Sequence, residues 1–401
     1  MVINRVGAPV RGNDFYGRDA LVELIWQKLR NGNILLAAPR RFGKTSVMYR
    51  LIDEPRFDFK VVHADLEHMI EPAELISQLT VQLARDTRLT RIANGLSYFP
   101  KTLWTRFKQT FSEVDLLKVK VKLRDQLRPH WQESGEELFK RIADSENTIL
   151  FVLDEFPMMI DRMARSSKHR QEAKTLLRWL RALRQSPNTK NVRFLIAGSI
   201  GIGQVLNELG EISAINDFEQ VRLEPFPPKL AMGLLTELER SQKIKVSDAC
   251  KRKMLQLIGT HVPYFIQVIF SEAAKLHAQD GLPITPKRVE QIYREKVLGV
   301  DCKTYFDHYY GRLRSYYRPH EKATKRILRE LAVAGSLRRD SCYQLYRDNN
   351  GDQSEIEDFN RLMTSLENDF YVRFDIKTSA YEFASKLLRD WWLRHYGLEA
   401  F

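Results

Sequence analysis

Four short apolar runs punctuate the first half of the chain: Asn33–Ala38, Lys60–Ala64, Thr148–Leu153 and Arg193–Gly198. They are continuous rather than alternating, the pattern of strands buried on both faces of a parallel sheet. Stretches with helical periodicity separate them. From Glu224 to about Val300 the pattern is helical throughout. The stretch Glu-Pro-Phe-Pro-Pro at 224–228 marks a boundary, because prolines interrupt elements and restrict the residues before them. The final third predicts helices near 320–333, 341–348 and 354–367, the last with Ile356, Phe359, Leu362, Met363 and Leu366 on one face. Tyr371–Asp375 and Tyr381–Phe383 then read as two strands, followed by a closing helix through LLRDWWLRHYG. Helix–helix–helix–hairpin is the order of a winged helix. The chain divides on this reading into a core over 1–222, a helical lid over 223–300 and a winged-helix-like module over 301–401.

Composition narrows the class. With 401 residues, 43% hydrophobic and 29% charged, the chain can bury sizeable cores and is neither disordered nor fibrous. No apolar run approaches the ~20 residues of a membrane span, and the first residues lack the apolar core of a leader. Cys250, Cys302 and Cys342 are too far apart for a metal knuckle or a disulfide framework. These features point to a soluble, cytoplasmic chain with no membrane partner.

The net charge of +13 is local. Ten basic residues lie between Arg162 and Arg193 against Glu172 alone, whereas 302–401 holds 17 basic and 15 acidic groups. Within the basic segment ARSSKHRQEAK (164–174) reads as flexible. The segment 162–193 offers a surface for an acidic partner or for nucleic acid, with a solvated helix face as the plainer alternative. A second candidate for nucleic acid is 304–326, where Tyr and Arg interleave; packing at a domain junction is its alternative. The reading helix expected of the winged module carries Asp352, Glu355, Glu357, Asp358, Glu367 and Asp369 against Arg361. Such a face repels phosphate, so the module reads as a protein-contact unit before a DNA reader. In the insert 91–128, the alternation KVKVKL predicts an exposed strand whose lysines discourage edge pairing.

The strongest chemical signal is ILLAAPRRFGKTSVMYRL, residues 34–51. A strand, a loop ending Gly43-Lys44-Thr45 and an amphipathic helix supply what a polyphosphate needs: inward N–H groups, a helix N-terminus, a cation and a hydroxyl for a metal. Lys44 is placed for the β- and γ-phosphates and Thr45 for Mg2+. Ala38 stands where the first glycine of GxxxxGK[ST] belongs. Alanine disfavours positive φ, so the loop must begin at negative φ or under mild strain. The run NTILFVLDEFPMMI puts Asp154 and Glu155 at the carboxyl end of an apolar strand, the edge where open α/β sheets bind ligands. Asp154 suits a hydrated Mg2+, and Glu155 suits orienting and deprotonating a water; taken alone, the pair equally suits a helix N-terminus. Ser199, after Gly198, suits either contact with a γ-phosphate or a helix cap.

FYGRD (15–19), APRRFGKTS (38–46), FVLDEF (151–156), FLIAGSIG (194–201) and IGTHVPYFIQ (258–267) occur in an order that resembles the archaeal-type AAA-like ATPases of the STAND class, across nearly the whole chain. The resemblance implies an α/β P-loop NTPase core with a parallel five-stranded sheet of order 5-1-4-3-2, a helical lid and a C-terminal winged helix. It implies ATP and Mg2+ as cofactors, with phosphates held by Pro39, Arg40, Arg41, Phe42, Gly43, Lys44, Thr45 and Ser46. Tyr16, Gly17 and Arg18 would lie near the adenine, and Pro263 would contact nucleotide from the lid; Gly259 to Pro263 also reads as an ordinary helix break. The crossover LLRWLRALRQ places Arg178, Arg181 and Arg184 beside a stripe of Leu176, Leu177, Leu180 and Leu183, with Trp179 flanking it. In ring or dimer ATPases of this superfamily an arginine from this helix reaches a neighbour's γ-phosphate, which would be Arg181 or Arg184. The expected function is an ATP-hydrolysing switch that binds a protein partner or itself. The alternatives are a DNA-associated AAA-type ATPase resembling origin-recognition or loader proteins, and a nucleotide-dependent scaffold with negligible turnover.

Overall fold

The apolar runs form strands because their side chains have two hydrophobic layers to enter. In the computed structural model, which describes residues 2–99, 113–198, 201–350 and 355–398, two compact units emerge. One comprises Arg18–Ala38 and Lys44–Arg222; the other comprises Met1–Gly17, Pro39–Gly43 and Leu223–Phe401.

The first unit runs α1 (Asp19–Leu29), β1 (Asn33–Ala37), α2 (Lys44–Asp53), β2 (Phe59–Asp65), α3 (Pro72–Arg85), α4 (Thr90–Asn94), α5 (Glu113–Leu127), α6 (Trp131–Ala143), β3 (Thr148–Asp154), α7 (Phe156–Arg165), α8 (Arg170–Gln185), β4 (Val192–Gly198), α9 (Ile202–Leu209) and β5 (Phe218–Arg222). Its sheet has the order β2-β3-β4-β1-β5, all pairs parallel, which is the expected 5-1-4-3-2. The inner strand β3 is buried from Ile149 to Asp154. Phe151 stacks on Phe194 at 5.6 Å and meets Phe139 edge-on at 5.5 Å. Trp179 is buried in this core against Phe139 and Trp131, beside Leu176, Leu177 and Leu180 of the leucine stripe.

The insert departs from expectation. KVKVKL is helical, within α5, and the adjoining 100–112 lies outside the described residues. Val119, Leu123 and Leu127, four apart, are buried, whereas Val121 is exposed. The alternation of Lys with Val mimics a strand over six residues, but four-residue spacing is what covers α3. Arg128 and Arg124 then bridge to Glu71 at 2.7 and 3.5 Å, fixing α5 to the start of α3. The stretch 164–174 is likewise ordered: Arg165 ends α7, a turn follows, and α8 begins at Arg170. His169 caps that turn through Glu172 at 2.6 Å.

The second unit runs α10 (Pro228–Gln242), α11 (Asp248–Ile258), α12 (Pro263–Asp280), α13 (Pro286–Ile292), α14 (Lys303–Tyr316), α15 (Glu321–Ala334), β6 (Ser336–Arg338), α16 (Arg339–Asn350), α17 (Ile356–Asn368), β7 (Val372–Asp375), β8 (Ala380–Phe383) and α18 (Lys386–His395). The strands form an antiparallel sheet of order β6-β8-β7. One aromatic core runs from Phe265 through Phe306 to Trp391 and Trp392. Buried Tyr293 donates to Asp390 at 2.8 Å, and Thr260 donates to the Ala384 carbonyl at 2.6 Å. Residues 223–300 and 301–401 therefore share side-chain packing and polar contacts. Ile356 falls outside the apolar face of α17 and is exposed. Asp369 is turned inward, taking hydrogen bonds from Arg312 at 3.2 Å and Tyr317 at 2.8 Å, so it adds nothing to the acidic face; Asp352 lies outside the described residues. Tyr309, Arg312 and Tyr317 are buried, which turns much of the basic-aromatic 304–326 away from any nucleic-acid surface.

Candidate nucleotide site

Register brings the chemistry to one edge of the sheet. Ala37 at the end of β1 pairs with Gly198 at the end of β4, and Asp65 pairs with Asp154 across β2 and β3. A side chain on Gly198 would place its Cβ 2.5 Å from Pro157, so glycine lets the turn after β3 lie against the end of β4.

Lys44 opens α2 and is almost fully buried. Its ammonium lies 2.7 Å from Glu155 Oε1 and 3.1 Å from Asp154 Oδ1. Glu155 holds φ 55°, ψ 27°, a left-handed conformation that costs a non-glycine residue on the order of 1 kcal/mol. The turn is repaid locally: Glu155 donates its N–H to Asp154 Oδ1 at 2.9 Å, and its carbonyl accepts from Met158 at 3.0 Å. The bend separates the two carboxylates, one on the strand and one on the cap of α7. Burial pushes the Asp154 carboxyl above the ordinary carboxylate range; the Lys44 charge pulls it down, Glu155 raises it, and His63 on β2 lowers it. The set is two carboxylates against one lysine in a buried place. A divalent cation would relieve it, and an incoming phosphate would compete for Lys44.

Thr45 in the first turn of α2 is partly accessible, while Ser46 is buried. A hydroxyl and a carboxylate are hard oxygen donors of the kind Mg2+ takes together with phosphates and water, so Thr45 and Asp154 fit that ion. Among the described residues no cluster of His, Cys, Asp and Glu builds a metal site by itself.

The phosphate-loop tip, Pro39–Gly43, belongs to the second unit. Ala38 is not among the positive-φ residues; the left-handed turns fall at Arg41, φ 72°, and Gly43, φ 88°. The loop thus begins without a left-handed residue at Ala38, and its non-glycine left-handed residue is Arg41, an arginine held in place. Arg41 donates to the Gly7 carbonyl at 3.1 Å and stacks over the Tyr264 ring at 4.8 Å. Phe42 is buried edge-on against Phe370 at 4.8 Å, and Arg40 is half-buried. Tyr16 and Gly17 also belong to this unit: the Tyr16 ring meets Phe226 at 6.1 Å, and burial, then the Glu237 charge, raises its hydroxyl pKa. Pro263 is half-buried at the first turn of α12, and Gly259 ends α11. Arg18 is buried at the start of α1 in the first unit.

The crossover arginines differ. Arg184 has a side chain only 3% exposed, paired with Asp217 at 2.8 Å and lying over the Phe218 ring at 4.6 Å. It is a structural cation of the first unit and not a hand extended to a neighbour. Arg178 pairs with Glu211 at 2.7 Å. Arg181, half-exposed, forms no ion pair among the described residues, and the same holds for Lys168, Lys174 and Lys190. Ser199 lies outside the described residues. His63, which the sequence with His68 reads as strand-end solvation, lies in β2 with Lys60 and Asp65, on the strand adjacent to the one ending in Asp154, and its charge lowers the Asp154 pKa.

Among solved structures, the chain is similar to the Walker-type ATPase paby2304 of Pyrococcus abyssi, with 16% identity, a TM-score of 0.61, and coverage of 97% of this chain and 99% of that one. The fold is that of a P-loop NTPase. The ORC2 protein of Aeropyrum pernix, in ADPNP–ADP complexes, is similar at 12% identity and a TM-score of 0.54, covering 96% of this chain and 95% of that one. No family model matches the chain, and no curated protein matches it. Among the described residues, no helix is long and apolar enough to cross a membrane.

Proposed function

We propose that the protein is a magnesium-dependent ATPase of AAA-like build. The observation that carries this is the buried ammonium of Lys44 held between Glu155 and Asp154 at the carboxyl edge of a parallel sheet. When a polyphosphate takes Lys44, Glu155 gives up that ion pair and serves as a base for the attacking water. Water oxygen bonds to the γ-phosphorus, the bond to the β-phosphate oxygen breaks, and Glu155 receives the water proton. Bound Mg2+, held by Asp154 and Thr45, supplies charge neutralisation on the phosphates. Arg181, accessible and without an ion-pair partner, is the crossover residue suited to stabilise phosphoryl charge for a neighbouring copy.

The likeness to an ORC2 protein supports a nucleic-acid-associated ATPase ahead of the signalling switch that the STAND resemblance implies. Arg162, Lys168, Lys174, Arg181 and Lys190, which form no ion pair among the described residues, are the basic groups left for that contact. ATP turnover by wild type, Lys44→Ala and Glu155→Gln tests the enzyme; equal rates in all three would end the proposal. Duplex-DNA binding across a salt series, with Lys168→Glu/Lys174→Glu as comparison, tests the setting: the variant should bind more weakly with a flatter salt dependence. An unchanged slope would return the reading to a protein-partner switch.

A further inference from the structure

The second unit contains a group of polar side chains that its own fold leaves unsatisfied. Tyr264 at the start of α12 and Tyr309 on α14 are 3% and 2% exposed, yet neither hydroxyl has a hydrogen-bond partner among the described residues. Neither ring nitrogen of His308 makes a hydrogen bond of normal geometry, although both are buried. Buried hydroxyls and imidazoles are rarely left this way, because they forfeit water without replacing it. These groups are neighbours: the His308 and Tyr309 rings are 4.2 Å apart, and Tyr264 packs edge-on at 5.9 Å against Tyr305, one turn before Tyr309 on α14.

The charge around them is positive. Arg41, Arg312 and Arg40 face His308, and burial together with these charges pushes its imidazole down to about 3. Arg312 is answered by Asp369 at 3.2 Å. Arg41 is exposed, with a carbonyl and an aromatic face as its contacts, and makes no ion pair among the described residues. The cluster therefore offers two hydroxyl donors, an imidazole N–H and a guanidinium, and no carboxylate answers Arg41. A cation has no place in it, and an apolar group would leave every donor unmet.

We propose that Tyr264, His308, Tyr309 and Arg41 form a receptor for a phosphoryl group, one that does not use Lys44. A phosphoryl oxygen set accepts several hydrogen bonds at once, and a guanidinium matches it in shape and charge. The phosphoryl group can be inorganic phosphate or the terminal phosphate of a nucleotide. The proposal stands apart from the ATP hydrolysis proposed above: Lys44→Ala should remove hydrolysis and leave phosphate binding at this cluster measurable.

The test uses the full chain carrying Lys44→Ala. Inorganic phosphate is titrated against chloride at matched ionic strength, and binding is followed by thermal shift and by the His308 ring nitrogens in NMR. Phosphate should raise the melting temperature and move the His308 signals. Tyr264→Phe/Tyr309→Phe keeps both rings and removes only the unpartnered hydroxyls. It should weaken phosphate about tenfold or more, the loss expected for hydrogen bonds to a charged group, and Arg41→Ala should weaken it similarly. ADP in place of phosphate identifies the source: a response sensitive to the same tyrosines assigns a nucleotide phosphate, and a phosphate-only response assigns the free ion. Unchanged phosphate affinity in the double Phe variant, or no response in the Lys44→Ala chain, overturns the proposal and leaves a water-filled cluster.

Discussion

Replacing Asp217 by Asn asks whether Arg184 is a structural cation. Arg184 donates to both Asp217 carboxylate oxygens, at 2.8 and 2.9 Å, and to the Ala214 carbonyl at 2.5 Å. Asn33 adds a hydrogen bond to the same carboxylate at 3.3 Å. Removing one partner of a fully buried pair costs about 3–5 kcal/mol. The Asp217 side chain is 28% exposed, and water moderates the loss, so about 2–3 kcal/mol is expected. For a chain of 401 residues that is a fall of roughly 2–4 °C in melting temperature. The pH dependence has a definite sign. Burial alone would raise the Asp217 pKa, but the hydrogen bonds and charge of Arg184 outweigh it and hold it below the ordinary value. The stabilisation is therefore complete above the unfolded carboxylate pKa of about 4 and lost as pH falls through the lower folded value. Urea unfolding should separate wild type from Asp217→Asn at pH 7 and bring them together in acid. ATP turnover per folded molecule should change little. An unchanged unfolding midpoint in Arg184→Ala, accompanied by lost turnover, would refute this and make Arg184 catalytic.

Two further outcomes follow from packing. In α5, Leu123→Lys buries a charge against α3 and should cost on the order of 3 kcal/mol, whereas Val121→Lys, on the exposed side, should stay within about 0.5 kcal/mol; equal effects in urea unfolding would contradict the helix. Gly198→Ala drives a methyl group into Pro157 and should cost about 1–3 kcal/mol. Because that turn sets Glu155, turnover should fall more than stability alone explains, and a variant matching wild type in both assays would count against the turn geometry.

The sheet was legible because four of its strands carry short, mostly apolar runs; β3 and β4 are buried almost throughout, while β1 and β2 are buried in part and Lys60 and His63 interrupt β2. β5 escaped: Phe-Glu-Gln-Val-Arg is an edge strand with Val221 alone buried, and its composition matches a loop. The three-residue β6 is too short to carry a period. In α5, six residues of alternating Lys and Val satisfy a strand and a helix equally, and only the packing of α3 decides between them. The phosphate loop and the acidic pair were visible because their chemistry restricts residue types locally. The roles of the arginines were not, since Glu211 and Asp217 each answer an arginine 33 residues earlier, and no local pattern encodes such a pairing. The same holds for 304–326, where interleaved Tyr and Arg look like a surface until Asp369 and Tyr371 are folded against them. The loop showed its missing glycine at Ala38, but not that Arg41 would supply the left-handed turn.

The central claim is that Lys44, Asp154 and Glu155 form a phosphate- and magnesium-dependent hydrolytic centre. Its most direct test is single-turnover ATP hydrolysis with direct nucleotide binding for wild type, Lys44→Ala and Glu155→Gln in Mg2+. Wild type should bind and hydrolyse, Glu155→Gln should bind and fail to hydrolyse, and Lys44→Ala should lose binding. Hydrolysis surviving in Glu155→Gln at the wild-type rate, or nucleotide binding indifferent to Lys44, would contradict it.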